Sequence, residues 1–534
     1  MILAAAVRLL IAPPSGGLVD VDADLHLRRA LDVLAHGPRA LIGVDPMIAW
    51  PDGAEVQWPP GFDLMLAGLG WLCGAPRLAR VAGVAIAIGG ALTIPVAYAF
   101  ARSVLSRGGA LAAAAATALA PAHIELTRVG RIDHHVVEPL LLWAALALLL
   151  RRRPIPAGIT LALLFVMSPS ALLGGALFGA AALWLARFDA RTPAIALAVA
   201  ALATAAVVWP MGTVRRLSVD VLCAVQPLLM VAGALVCALS RGRAARLALG
   251  GAGIVLIGLG VAIGSGTFGF VARHSLIGTI VESRNLFAFG AYPALAPLGA
   301  LAFLIPFAVP LAWQRRGTDD SRLVMGVTAL SLLAVTLVQR RFMHLAALPV
   351  AVMLIDAAGC LRWTRLTAVL GAVAALAACA PMVRYLFETP PDNPRVLAVR
   401  ELALLLRDQP AGGVLCQWPY GHIVTRVGAK PVVASPLLTA STMPAAEAAT
   451  RALLDDDPAR ARAWMQARQV RYVIATAIPP GVTARYLSAL GDPREAAQVE
   501  RSALVERLAG GERIAGLKPL AAAHDGRARL YVVE

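Results

Sequence analysis

Ten residues, GRIDHHVVEP at 130–139, place an arginine, an aspartate, two histidines and a glutamate between two long apolar runs. A second stretch, VDVDADLHLRR at 19–29, adds Asp20, Asp22, Asp24 and His26. Carboxylates and imidazoles are ligands for divalent cations, and a histidine among carboxylates favours Mn²⁺ or another first-row metal over Mg²⁺. Each motif alone is weak evidence, because charged residues in loops are usually solvated or cap helices.

Two further polar groups indicate what such a metal would do. Residues 279–282 read TIVE, and Arg340 and Arg341 lie at a predicted membrane boundary. An arginine at a helix end usually extends to the lipid headgroups. A metal beside an arginine, however, neutralises a diphosphate leaving group by charge compensation and Lewis acidity. The combination therefore favours chemistry on a diphosphate.

The composition identifies the kind of chain that carries these groups. Over 534 residues, 59% are hydrophobic and the mean hydropathy is +0.73, which is typical of a polytopic membrane protein. The net charge of +16 comes largely from short basic clusters between apolar segments. Such clusters mark cytoplasmic membrane flanks, so we exclude a nucleic-acid partner. The six scattered cysteines have no metal-ligand spacing.

The apolar runs predict about thirteen transmembrane helices, the first ending in the N-terminal MILAAAVRLLIA. Arginine clusters in alternate connections place those connections in the cytoplasm. The loops 13–81, 123–135 and 265–290, residues 339–341 and everything after 387 are then extracytoplasmic. This orientation requires the apolar stretch 61–73 to be an interfacial or re-entrant helix. The acids, histidines and arginines then share one side of the membrane.

The last part of the chain differs in character. From residue 388 the charge density rises, and short β-type runs such as 470–474 (VRYVI) alternate with helical stretches rich in Ala, Arg and Glu. We therefore predict two domains: a transmembrane catalytic domain at 1–387 and a small soluble extracytoplasmic α/β domain at 388–534.

The ordered set DVDADLHLRR, GRIDHH, TIVE and QRRF (339–342), followed by VLCQWPYGHIV at 414–424, resembles the catalytic subunit of oligosaccharyltransferases. The resemblance covers essentially the whole chain and is that of a divergent, short, bacterial-type homologue. It implies a mainly α, C-type glycosyltransferase fold with about thirteen membrane helices and an extracytoplasmic C-terminal domain. It also implies a divalent metal, Mn²⁺ or Mg²⁺, and a polyprenyl-diphosphate-linked glycan as donor.

The resemblance assigns roles to individual residues. It implies metal ligation by Asp22, Asp133, His135 and Glu282, with Asp22 and Glu282 also polarising the acceptor amide as catalytic residues. Arg341, with Arg340 beside it, would bind the donor diphosphate. The predicted acceptor-binding residues are Glu282, Trp418, Tyr420 and Gly421. No family role transfers to His134 or Glu138, for which support of a ligand or helix capping is expected.

The implied reaction is transfer of the glycan to an asparagine amide of a protein or peptide. It would take place on the extracytoplasmic face of the cell (inner or plasma) membrane, by a single subunit embedded in the bilayer. The acceptor signature departs from the family, which has Trp-Trp-Asp-Tyr-Gly where this chain has Gln417-Trp418-Pro419-Tyr420-Gly421. Proline cannot replace the aspartate that accepts a hydrogen bond from the sequon hydroxyl. We therefore expect another protein motif, or a non-protein acceptor.

Two other functions fit parts of the pattern. A C-type glycosyltransferase using a polyprenyl-phosphate sugar, with a lipid, glycan or hydroxyl acceptor, would share the acidic loop but would not need TIVE or a diphosphate arginine. A non-enzymatic transporter or flippase would carry charges within its membrane helices. Such charges are few: Asp220 and Asp356 lie near the ends of their apolar runs.

Overall fold

The computed structural model describes residues 1–12, 18, 20–56, 58–212, 222–239, 320–338, 342–358, 393–439, 441–479 and 481–534. Several predictions from the sequence fall outside these ranges and are not tested by the structure. They concern Glu282, Arg340, Arg341, the loop 265–290 and the boundary between 387 and 388.

The described chain before residue 359 is almost entirely helical. Its α-helices are α1 (Ile2–Leu10), α2 (Asp22–His36), α3 (Gly61–Cys73), α4 (Leu78–Ala101), α5 (Arg107–Ala118), α6 (Pro121–Thr127), α7 (Val137–Leu150), α8 (Pro154–Met167), α9 (Ala171–Leu185), α10 (Arg191–Val208), α11 (Val225–Leu239), α12 (Asp320–Val338) and α13 (Met343–Ala358). A two-residue antiparallel pair, β1 (Val44–Asp45) with β2 (Ala54–Glu55), interrupts the segment between α2 and α3. The predicted mainly α fold is confirmed.

Two described helices, Ala75–Ala101 and Arg191–Val208, are long and apolar enough to cross a membrane. A third span results if Arg107–Ala118 and Pro121–Thr127, which meet at a 56° bend, are counted together. The helix Gly61–Cys73 has 13 residues, fewer than the roughly 20 that a full span needs. The chain is thus a membrane protein, while the total of thirteen helices stays a prediction.

Residues 393–534 contain a four-stranded sheet with helices around it. The strands are β3 (Gly413–Cys416), β4 (Val470–Thr476), β5 (Leu517–Ala522) and β6 (Ala528–Val533), in the order β3-β4-β6-β5. The helices are α14 (Pro394–Arg407), α15 (Gly421–Val427), α16 (Met443–Leu453), α17 (Pro458–Ala467), α18 (Val482–Leu490), α19 (Ala496–Ser502) and α20 (Leu504–Ala509). The β3-β4 pair is parallel and the others are antiparallel.

Strands β3 and β4 are buried on both faces because they are apolar at successive positions, whereas the edge strand β5 is largely exposed. Leu415 and Val473 lie in one hydrophobic cluster, while their neighbours Val414 and Tyr472 lie in another. This is the alternation expected of a pleated strand. The residues after β3 therefore leave the sheet from a fully buried edge, which fixes where the QWPYG segment begins.

A separate apolar cluster holds the polar loops together. Leu27 from α2, Phe62 from α3, Ala82 from α4 and Ile132 from the loop before α7 are all buried within it. The loop turns at Gly130, whose φ of +87° is readily adopted only by glycine. This cluster places the first turn of α2 beside residues 133–138.

Candidate active site

Asp133 lies at the centre of the polar side chains brought together by these loops. It is 1% exposed. Its Oδ1 lies 2.6 Å from His134 Nδ1 and 3.6 Å from His26 Nε2, while its Oδ2 lies 3.5 Å from His135 Nε2. Burial opposes the charge on this carboxylate, but the neighbouring His134 and His135 hold the pKa of Asp133 well below its usual range.

The start of α2 brings two more carboxylates to Asp133. One potential ligand oxygen from each of Asp20, Asp22 and Asp133 lies within 4.8 Å of the others. Asp20 accepts a hydrogen bond from the backbone N–H of Asp22 at 3.1 Å and forms a 3.2 Å ion pair with Arg131. Carboxylates are favoured in the first turn of a helix by its dipole. The three carboxylates form a site whose chemistry suits a divalent cation.

The structure thus places Asp22 next to Asp133, as the sequence motifs predict for a shared site. His135 contacts Asp133. Its possible ligand atom, however, is grouped with those of His134 and Glu138 and not with that of Asp22. Glu282 lies outside the described residues. We call Asp20, Asp22, His26, Asp133 and His134 the metal face.

Glu138 lies next to the metal face and contacts His135. Its carboxylate is 1% exposed and accepts from Ser168 Oγ at 2.5 Å. It also lies 3.0 Å from His135 Nδ1 and 2.8 Å from His344 Nε2. Because a carboxylate only accepts, it fixes the proton of His135 on Nδ1 and leaves Nε2 facing Asp133.

Asp63 does the same for His26, and the sequence analysis missed it. His26 Nδ1 lies 2.6 Å from Asp63 Oδ1, and Arg29 Nε donates to Asp63 Oδ2 at 2.5 Å. Burial disfavours charge on the His26 ring, but Asp63 and Asp133 outweigh it and raise the pKa of His26 to about 9. Burial likewise opposes the Asp63 charge, but Arg29 and His26 lower the pKa of Asp63. The available signal was a single acid within the apolar stretch 61–73.

The predicted acceptor segment is buried in its own unit. Trp418 and Tyr420 are 7% and 8% exposed and belong to two different hydrophobic clusters. Gln417 Nε2 donates to the Thr476 carbonyl at 2.6 Å and to its hydroxyl at 2.9 Å. A Cβ on Gly421 would lie 2.3 Å from the Ala434 carbonyl oxygen. These contacts give the segment a packing role, and acceptor binding by Trp418, Tyr420 and Gly421 stays a prediction.

An ion-pair network joins this unit to α2. Asp24, which is fully buried, pairs with Arg400 of α14 at 2.5 Å and with Arg426 of α15. His422, also fully buried, has no hydrogen-bond partner on either ring nitrogen in the described structure. Burial and the positive charges of Arg28, His26 and Arg29 hold the pKa of His422 well below its usual range. The first turn of α2 therefore carries Asp22 on the metal face and Asp24 at the junction.

No protein-family model and no curated protein matches the chain. Solved structures do share its fold. Archaeoglobus fulgidus oligosaccharyltransferase AglB, in complex with an inhibitory peptide and a dolichol-phosphate, has a TM-score of 0.80 at 16% identity, over 98% of this chain and 79% of that one. The same archaeon's oligosaccharyltransferase with Zn and sulfate gives 0.76 at 16% identity, over 98% and 78%. When tethered to an acceptor peptide containing the NVT sequon, it gives 0.77 at 16% identity, over 98% and 78%. The predicted resemblance to oligosaccharyltransferase catalytic subunits is confirmed in the fold.

Proposed function

We propose that this chain is a membrane glycosyltransferase that moves a glycan from a polyprenyl-diphosphate-linked donor to an acceptor, as oligosaccharyltransferases do. The observation that carries the proposal is the convergence of Asp20, Asp22 and Asp133, from two distant loops, within a chain of the oligosaccharyltransferase fold. Asp133 is buried and Asp20 and Asp22 are half-buried, so their like charges favour compensation by a bound cation in addition to the ion pair of Asp20 with Arg131.

The carboxylate and imidazole groups of this site fit a divalent cation, for which we propose Mn²⁺ or Mg²⁺. Asp22 and Asp133 would hold it, with His135 beside them and Glu282 as the further ligand that the resemblance implies. A bound cation supplies charge compensation to a departing diphosphate. The similar structure in complex with Zn and sulfate supports cation binding by a chain of this fold.

The remaining residues would hold and orient the substrates. Asp22 and Glu282 would accept hydrogen bonds from the acceptor amide, and Arg341 with Arg340 would hold the diphosphate. The segment carrying these arginines leads directly into α13 (Met343–Ala358), whose His344 contacts Glu138. Glu138 would thereby hold the residues that bind the diphosphate at a fixed position relative to His135.

The acceptor is the part of the reaction for which this chain differs from the family pattern. A similar structure bound to dolichol-phosphate and another tethered to a sequon peptide support a lipid-linked donor and a peptide acceptor. The side chain of Pro419, however, has no group that can accept the hydrogen bond of a sequon hydroxyl. We therefore propose an asparagine amide as nucleophile, presented by a protein motif other than Asn-x-Ser/Thr. Trp418, Tyr420 and Gly421 would border that motif.

The proposal also includes the side of the membrane on which the site lies. The basic connections assigned to the cytoplasm leave the metal face and residues 393–534 on the extracytoplasmic side of the cell membrane. The chain would act there as a single subunit.

The test is an assay of the purified chain in detergent with a polyprenyl-diphosphate-linked oligosaccharide, an acceptor peptide library, and either Mn²⁺ or EDTA. We expect peptide glycosylation with Mn²⁺ and none with EDTA. Metal-dependent release of free glycan without peptide transfer would keep the donor site and exclude a peptide acceptor. If protein shown to be folded gave no transfer and no release of glycan, the proposed function would be refuted.

A further inference from the structure

Three buried atoms without a hydrogen-bond partner converge on one side of the metal face. They are His26 Nε2, Asp133 Oδ1 and His134 Nδ1. Asp133 Oδ1 lies 3.6 Å from His26 Nε2 and 2.6 Å from His134 Nδ1, yet neither contact has hydrogen-bond geometry. Unsatisfied buried polar atoms are costly and uncommon in folded proteins, so three around one point indicate a missing ligand.

We propose that His26, Asp133 and His134 form a second cation site, suited to a first-row transition metal such as Zn²⁺. Their possible ligand atoms lie within 4.8 Å of one another. Two imidazoles and one carboxylate form a donor set typical of transition metals, whereas Mg²⁺ prefers oxygen ligands alone. The inference rests on the proposed function, because the second site shares Asp133 with the site of Asp20 and Asp22.

In both imidazoles, the ring nitrogen that faces away from the proposed cation lies near a carboxylate, as is usual for metal-ligating histidines. His26 Nδ1 contacts Asp63 Oδ1 at 2.6 Å, and His134 Nε2 lies 3.5 Å from Glu138 Oε1. Metal-bound histidines commonly place their second ring nitrogen against a carboxylate, which fixes the ring and raises its basicity. With Nδ1 held by Asp63, His26 Nε2 is directed towards Asp133 Oδ1, 3.6 Å away, where a cation could lie between them.

Aromatic rings enclose the same point. Trp58 lies edge-on to His26 and His134, at 5.9 Å and 5.3 Å between ring centroids. Phe62 lies 4.8 Å from the His26 ring. His26 and His134 are 1% and 4% exposed. Such walls limit water around a cation and so strengthen its interaction with anionic groups.

A shared carboxylate gives the second site a place in the proposed reaction. Two-metal sites for phosphoryl and related transfers hold their cations about 3.5–4 Å apart, commonly through a bridging ligand. Asp133 Oδ1 faces the histidines, and Asp133 also belongs to the group with Asp20 and Asp22. The second cation would thus neutralise part of the same diphosphate.

The first test measures Zn²⁺ binding to the tag-free full-length chain in detergent, by calorimetry and by metal analysis after dialysis. We expect His26→Gln and His134→Gln each to weaken Zn²⁺ binding on the order of 100-fold, and Asp63→Asn to weaken it about 10- to 100-fold. His36→Gln, an exposed histidine on the same helix, is the matched control and should leave Zn²⁺ affinity unchanged. Asp22→Asn, which alters the neighbouring group, should weaken Zn²⁺ binding less than either histidine variant does.

A second measurement needs no variant and therefore does not depend on folding of a mutant. X-ray absorption at the zinc edge of the wild-type protein should show two imidazole ligands. No Zn²⁺ binding, or fewer than two imidazoles, would overturn the second site while leaving Mn²⁺-dependent transfer as separate evidence on the proposed function. Equal loss of Zn²⁺ in Asp22→Asn and His26→Gln would also overturn it, because that result describes one site.

Discussion

The metal face and the QWPYG segment differ in what surrounds their buried polar groups. On the metal face, His26 Nε2, Asp133 Oδ1 and His134 Nδ1 are buried without hydrogen-bond partners. In the QWPYG segment, Gln417 Nε2 has two partners on Thr476, and Trp418 and Tyr420 pack into hydrophobic clusters, where Trp418 Nε1 is a lone unpaired atom among the described residues. Three unpaired atoms that converge on one point indicate a bound species, whereas a lone unpaired atom among apolar side chains does not. We call the metal face, which we propose binds the donor, the donor half, and the QWPYG segment, which we propose borders the acceptor, the acceptor half. The acceptor half is packed largely as core.

The largest expected effect tests the donor half. Asp133→Ala removes the carboxylate common to both cation groups, so we expect metal binding to weaken and glycan release to fall, each by more than about 100-fold. Asp525→Ala, which removes an exposed aspartate paired with Arg527, is the control and should leave both unchanged. Calorimetry with Mn²⁺ and a glycan-release assay provide the two readouts. Retention of wild-type Mn²⁺ affinity by Asp133→Ala would break the comparison.

The next effect tests whether the QWPYG segment is core. Trp418→Ala would leave a large cavity, and we expect it to lower the free energy of unfolding of residues 393–534 by about 3–5 kcal/mol. Trp464→Ala is the matched control: its partly buried ring lies under Arg468 at 4.6 Å, so the loss should be clearly smaller. Urea unfolding followed by fluorescence measures both. If Trp418→Ala kept its stability and lost only acceptor affinity, the segment would be a binding surface.

The junction between the two halves gives a somewhat smaller effect. Asp24→Asn would leave Arg400 and Arg426 without their buried counter-charge, which we expect to cost about 3 kcal/mol. Hydrogen exchange should then increase in α2 and in α15 (Gly421–Val427). Asp455→Asn, at a solvent-accessible pair with Arg460, is the control and should not change exchange in either helix. Unchanged exchange in Asp24→Asn would show that the network does not hold the halves together.

The sequence predicted those parts of the candidate site that depend on short sequence motifs. The motifs around Asp22 and Asp133 identified two loops, and the basic clusters placed both on one side, so their proximity followed. Asp63, His344 and the pairing of Asp24 with Arg426 could not be predicted that way. Asp24 and Arg426 are 402 residues apart, and no periodicity encodes which distant charges meet. The buried state of Trp418 was equally hidden, because an aromatic beside proline and glycine fits either a binding loop or a packed turn.

The smallest expected effect concerns Pro419, which with Gln417 is one of two positions where the acceptor half departs from the family pattern. A site that hydrogen-bonds a substrate hydroxyl rejects an analogue without it by about 10⁴-fold or more, because its polar group is left unpaired. The side chain of Pro419 offers no such group, so peptides with Thr or Ala two residues after asparagine should be glycosylated within about threefold of each other. Peptide glycosylation rates with matched Thr and Ala peptides measure this ratio.

The reciprocal variant makes the same test from the other side. Pro419 is half-buried, unlike its neighbours Trp418 and Tyr420, so an aspartate there could reach an acceptor without disturbing the core. Pro419→Asp should therefore raise the Thr-to-Ala ratio by about tenfold, the value of one modest hydrogen bond to a charged group. A wild-type ratio above 100 would mean that another residue already reads the hydroxyl. In that case the two halves of the molecule would both be built for a ligand, and burial of QWPYG would support an intact acceptor site.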